Sequence, residues 1–248
     1  MNCLDKVILV SSHCLFLLSC YTLSFIILSL NYKFRDLHYS KQLYIIKNFI
    51  KSFILCYMSI ATYDILLQVI YDNPFNNIYI YHYSSLYVCN DIMALFIVPN
   101  LPFTTKVHHS ITTTLLFYSL SIDYNNNILG KLILIYTFFS CYSFLVNFYL
   151  GLRYFYNDLE LNNKKIEHLE KINQLYINNV IDIVRISAFY NYLYSCIINW
   201  TIHIMIFGYR IYNNTFDIYH LVYICLLKFI ITDDLILMKW LYKKTINA

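Results

Sequence analysis

The sequence predicts an all-α protein, a multi-pass transmembrane helical bundle of about seven spans, with six to eight as the range. Three observations carry that expectation. Only 13% of the 248 residues are Asp, Glu, Lys or Arg, about half the ~25% usual in soluble domains. Mean hydropathy is +0.52, and long stretches carry no charge at all. Gly and Pro number three each, too few for phosphate-cradling glycine loops or a turn-rich β sandwich or barrel. The 59% hydrophobic share is a weaker sign, because it includes 27 Tyr. A soluble globule of this size would need more charge to cover its surface.

Each span follows from the roughly 20 apolar residues needed to cross a ~30 Å hydrocarbon core. Val7 to Leu30 is free of charge, Ser52 to Tyr71 contains only Asp64, and Ile78 to Val98 contains only Asp91. A shorter run, Val107 to Ile122, follows the link Pro99-Asn100-Leu101-Pro102. Leu132 to Leu152 and Ile186 to Phe207 are charge-free, and Ile218 to Met238 holds Lys228, Asp233 and Asp234. The first run exceeds a signal-peptide core of roughly 7 to 15 residues and lacks a positive flank, so it is expected to stay as a span.

Lys and Arg concentrate in cytoplasmic loops. Lys33, Arg35, Lys41 and Lys47 follow the first span, Lys106 the third, and Arg153, Lys164, Lys165 and Lys171 the fifth. Lys243 and Lys244 lie in the tail, and Lys131 is the one dissenter. The expected orientation therefore has the N-terminus outside or lumenal and the C-terminus cytosolic. The sequon Asn213-Asn214-Thr215 then falls on the outer side, where glycosylation could use it, whereas Asn199-Trp200-Thr201 lies within a span. The polar stretch 157–179 is expected as an amphipathic helix at the cytosolic interface. Topology explains the net charge of +4, so no nucleic-acid partner is expected. The eight Cys form no C-x-x-C pair and suit apolar packing.

Ionisable groups at membrane depth are costly and point to function by default. Asp182 and Arg185 are three residues apart and are expected to pair. Asp233 and Asp234 are expected to form a structural ion pair with Lys228 or Lys239. His203 reads as a hydrogen-bonded packing residue, and Asp64, His82 and His220 remain unassigned. The segment from Asp91 to Thr114 differs. An acid near mid-span could meet His108 and His109 across the short proline link. A carboxylate that fixes one imidazole tautomer leaves its other nitrogen free for acid or base work. Neighbouring helical residues diverge by about 100°, so one histidine would address a cavity while the other anchors the helix. Two interfacial histidines without chemistry are the alternative. No histidine clustering of metal-site type and no G-x-S-x-G elbow occurs, so neither a metal nor a serine nucleophile is expected. The Asp-Arg-Tyr and Asn-Pro-x-x-Tyr signatures of rhodopsin-like receptors are also absent.

Asp91 followed by Val107-His108-His109-Ser110-Ile111-Thr112 resembles the TLC-domain family, whose members carry an aspartate ahead of a His-His pair. Tyr149-Leu150-Gly151-Leu152-Arg153-Tyr154-Phe155 is similar to the F-x-N-x-R-W-F stretch of family members outside the ceramide synthases, with Gly151 for Asn and Tyr154 for Trp. The resemblance covers residues 44–242, leaving 1–43 as an N-terminal transmembrane helix with a cytosolic loop and 243–248 as a cytosolic tail. It implies a bundle around a lipid-accessible cavity in the endoplasmic reticulum or a related internal membrane. Membrane lipids are the implied partners, and self-association is left open. Ceramide synthases place a His-Asp-x-x-Asp element after a downstream glycine. With Gly130 as that glycine, the stretch Tyr136 to Cys141 holds no acid. The expectation is therefore a protein that binds, senses or handles lipid and modulates membrane lipid composition, leaning away from an enzyme and without a cofactor. The alternative is an N-acyltransferase using acyl-CoA as co-substrate, with His108 or His109 as base or acyl acceptor and Asp91 orienting it. A structural membrane protein is the third reading.

Overall fold

The computed structural model describes residues 2–156 and 168–246. Among them the protein is all-helical, with no strand. The helices are α1 (Cys3–Leu28), α2 (Tyr32–Arg35), α3 (Tyr39–Ala61), α4 (Tyr63–Ile70), α5 (Asn77–Ile97), α6 (Phe103–Ser119), α7 (Ile128–Cys141), α8 (Phe144–Tyr156), α9 (His168–Tyr212) and α10 (Ile218–Ile246).

Asparagines set many of the starts. Asn2 and Asp5 form a reciprocal capping box on α1, and the side chains of Asn31, Asn76 and Asn127 accept from first-turn amides of α2, α5 and α7. Each satisfies a donor that a helix start leaves open. Prolines set the α5–α6 corner: α5 ends before Pro99, Asn100 turns with a left-handed φ of 61°, and Pro102 leads into α6. A residue before proline avoids the helical region, which ends one helix and leaves the next to start afresh.

Two helices, Leu4–Leu28 and Tyr39–Ala61, are long and apolar enough to cross a membrane. A third arises if Ile128–Cys141 and Phe144–Tyr154, bent by 44° between them, are taken as one span. The other helices fall in the expected places but carry polar residues that turn inward. Asn90, Asp91, His109, Asn199, His203 and Asp234 are buried, while Phe96, Ile183, Ile204, Met205, Val222 and Phe229 are exposed.

Three differences from the sequence reading matter. The second expected span lies in α3, which starts at Tyr39 rather than Ser52 and breaks at Thr62, whose hydroxyl donates to the Met58 carbonyl at 2.7 Å. Lys47, read above as a loop cation, therefore sits inside α3 and is buried. Of the expected interfacial helix 157–179, residues 157–167 lie outside the described residues, and from His168 the chain is already part of α9.

The central helix is α3, which packs against α1, α5, α7 and α8. The approach of α8 is close because Gly151 faces the Phe49 ring: a Cβ there would lie 3.0 Å from two ring carbons. On the opposite flank α10 packs on α6 and α9. The site lies between these two flanks.

Candidate functional site

A cavity of about 320 Å³ opens among α3, α5, α6, α7, α8, α9 and α10. That is the lower end of small-molecule sites. Its lining follows helical periodicity, since residues three, four or seven apart share a face. Tyr44, Lys47 and Lys51 come from α3, Tyr87 and Asp91 from α5, and Asn147, Leu150 and Arg153 from α8. The start of α6 contributes His108 and His109, and the later part of α10 contributes Asp233, Asp234, Leu237 and Trp240.

Asp91 is fully buried and is the hub of the first cluster. Its Oδ1 lies 2.7 Å from Lys51 Nζ and 3.3 Å from His109 Nδ1. Its Oδ2 accepts from the Thr112 hydroxyl at 3.2 Å. The Lys51 ammonium also donates to the Tyr87 carbonyl at 3.3 Å and rests 3.9 Å from the centre of the Tyr87 ring. A buried carboxylate persists only with such compensation.

The second cluster is built from α10. Asp233 Oδ2 lies 3.3 Å from His108 Nδ1. Asp234 accepts from the hydroxyls of Tyr136, on α7, and Tyr192, on α9, the latter at 2.7 Å. The two imidazoles meet edge to face with centroids 5.6 Å apart. Both histidines line the cavity and each also faces a carboxylate on a neighbouring helix, so the expected division into one cavity residue and one anchor is not seen. The 100° divergence is accommodated because α5 and α10 flank α6, so each ring finds its own carboxylate. Both contacts are near approaches without a directed hydrogen bond, and both ring nitrogens of His109 are buried without a hydrogen-bond partner.

The arrangement can do two things chemically. Imidazoles beside carboxylates are suited to taking up and releasing a proton. One ligand atom each from Asp91, His108 and His109 also lies within 4.8 Å of the others, a spacing that could hold a metal ion. Lys51 already supplies a cation at Asp91, so a divalent ion there would have to share that carboxylate with an ammonium.

The other sequence candidates lie outside this cavity. Asp182 and Arg185 pair at 3.0 Å, as their spacing requires. His203 is a packing residue, held by the Asn199 carbonyl at 2.9 Å and the Tyr223 hydroxyl at 3.2 Å. His82 meets His13 edge to face, and His220 lies 2.6 Å from Asp217. Asp64 borders a separate groove beside Gln68. The expected ion pair of Lys228 or Lys239 with Asp233 or Asp234 does not form: both lysines are exposed, and the two acids turn into the cavity. Residues five apart on a helix point about 140° away from each other. Sequence reasoning missed Lys51, Tyr136 and Tyr192 as site residues. A signal for the first was present, since Lys47, Asn48, Lys51 and Ser52 form a polar stripe at helical spacing.

Compared with family models, with curated proteins and with solved structures, the chain matches none of them. The functional argument therefore rests on the cavity and its side chains.

Proposed function

We propose that this chain is a multi-pass membrane protein that handles lipid, receiving part of a lipid molecule in the cavity between α3 and α10. The observation that carries this reading is an inverted polarity. Ionisable and amide groups line an interior cavity, while large apolar side chains cover the outer faces of α1, α9 and α10. Exposed apolar surface on that scale calls for a partner or a lipid surrounding. It also supports seven crossings, made by α1, α3 with α4, α5, α6, α7 with α8, α9 and α10. In that arrangement the Lys and Arg pattern favours a cytosolic C-terminus. An internal membrane such as the endoplasmic reticulum, and kinship with the TLC-domain proteins, are parts of the same proposal.

The test is crosslinking in nanodiscs with a diacyl lipid bearing a photoreactive group in its chain. Labelled peptides from the Leu150 and Leu237 walls are expected with the wild type and not with Asn147→Trp, which fills the cavity. Equal labelling of both proteins would sink the reading.

One observation favours a second reading, acyl-CoA-dependent N-acyl transfer. The acids missing after Gly130 are supplied from α10, where Asp233 and Asp234 reach the His108 side of the cavity. Amide formed from labelled long-chain acyl-CoA and an amine, and lost in His108→Ala/His109→Ala, would establish it. No product from folded, inserted protein would remove it.

A further inference from the structure

Among the described residues, two of the three cations that line the cavity, Lys47 and Arg153, have no carboxylate in contact. Asp91 is held by Lys51 and faced by His109, Asp233 is faced by His108, and Asp234 is held by two phenols. Lys47 lines the same cavity at 6% exposure, and among the described residues no carboxylate lies within 4.0 Å of it or of Arg153. A cation in an apolar bundle is costly without a counter-charge.

Arg153 is pre-positioned. Its guanidinium carbon lies 4.6 Å from the Trp240 ring centre, 4.7 Å from that of Tyr154 and 5.8 Å from that of Tyr44. One terminal nitrogen donates to the Tyr154 hydroxyl at 3.1 Å, and Nε is buried with no partner. Rings on several sides fix the plane of the guanidinium by cation–π contact and reduce the entropy lost when its fork takes an oxyanion. The Lys47 ammonium sits 5.9 Å from the same Tyr44 ring, so both cations border one aromatic side chain.

We propose that Lys47 and Arg153 form an anion subsite of this cavity and that its ligand is the phosphate group of a lipid. The inference rests on the lipid-handling reading and names the ligand class. A phosphate monoester carries about two negative charges on three terminal oxygens and can engage both cations at once, where a single carboxylate offers one charge. The planar fork of arginine can grip two phosphate oxygens while lysine acts as a point charge. The apolar walls at Leu101, Leu150 and Leu237 continue from this subsite, which suits a phosphate attached to a hydrocarbon chain rather than a free ion.

The test is native mass spectrometry of the full chain released from nanodiscs of equimolar phosphatidic acid and phosphatidylcholine. The wild type is expected to retain phosphatidic acid preferentially. That preference should fall about ten- to a hundredfold in Arg153→Gln and Lys47→Gln, the scale of one lost charge-assisted hydrogen bond. Lys47→Arg, which keeps the charge, should retain it, so a poorly folding Lys47→Gln leaves the question answerable. Equal retention of the two lipids by the wild type overturns the phosphate subsite and leaves lipid handling standing. Retention of neither lipid overturns both. Inorganic phosphate that raises the melting temperature in detergent as much as phosphatidic acid does assigns the subsite to a soluble phosphate and overturns the lipid part.

Discussion

Lys51 Nζ sits 2.7 Å from the same Asp91 oxygen that His109 Nδ1 approaches at 3.3 Å. One carboxylate thus serves an ammonium and an imidazole from two helices, α3 and α6, while itself belonging to α5. Removing one partner of a buried ion pair leaves the other uncompensated, at about 3 to 5 kcal/mol. Lys51→Met and Asp91→Asn should each lower the unfolding midpoint in detergent, and the double variant should lose less than the two singles added. Simple additivity would show that the two groups do not interact energetically.

Asp234 ties α10 to α7 and α9 through the two tyrosine hydroxyls. Asp234→Ala strands both, at about 1 to 3 kcal/mol for each buried group left without a partner. Asp234→Ala combined with Tyr136→Phe and Tyr192→Phe should recover much of that loss in a thermal melt. Asp233→Asn, which touches only the His108 side, should melt close to the wild type.

The corner at Asn100 has a left-handed φ of 61°. Asn100→Gly should be tolerated there. Asn100→Val should lose about 1 to 2 kcal/mol, the steric strain of a branched residue in that region. Because this corner joins the helices bearing Asp91 and His109, Asn100→Val should also weaken lipid retention in the cavity. A valine variant that melts and binds like the glycine one would refute the strain.

Asp217, in the loop between α9 and α10, has its carboxyl held below the usual range by the backbone amide of His220, with the His220 side chain adding to it. Its Oδ1 also accepts from the Tyr219 amide at 2.9 Å. A depressed folded pKa means the carboxylate stabilises the fold above its unfolded value of about 4. That contribution is lost as pH falls through the lower, folded value. Stability measured from pH 5 down to pH 3 should therefore drop less steeply in Asp217→Asn than in the wild type. Identical slopes would rule out this contribution.

Asn213 sits exposed in the turn after α9, beyond the helix end opposite the cavity. In microsomes the wild type should gain a glycan that Asn213→Gln lacks, and Asn199→Gln should change nothing, because Asn199 is buried. A glycan absent from the wild type would reverse the proposed orientation.

Much of this was legible from local chemistry. Asn76, Asn127 and the Pro99–Pro102 link mark helix ends by side-chain caps and fixed φ, which act within a few residues. Asp91 and His109 could be paired because only a short corner separates their helices. Lys47 and Lys51 were harder, since a charge-free window hides a helix that starts with polar residues and buries them. The approach of Asp233 to His108 spans α6 to α10, and nothing in either segment names the other. Lys228 looked like the nearer partner by counting residues, and helical geometry turned it to the opposite side.

The acids of the His108 cluster arrive with α10, the last of the helices among the described residues. Until α10 is synthesised and docked, Lys47, Lys51 and Arg153 share an interior with Asp91 as its one cavity carboxylate among the described residues. Without α10 the interior would therefore hold surplus positive charge, a condition that favours exposure of those helices to water. Docking of α10 thus completes the electrostatic balance of the interior, setting three carboxylates against Lys47, Lys51 and Arg153.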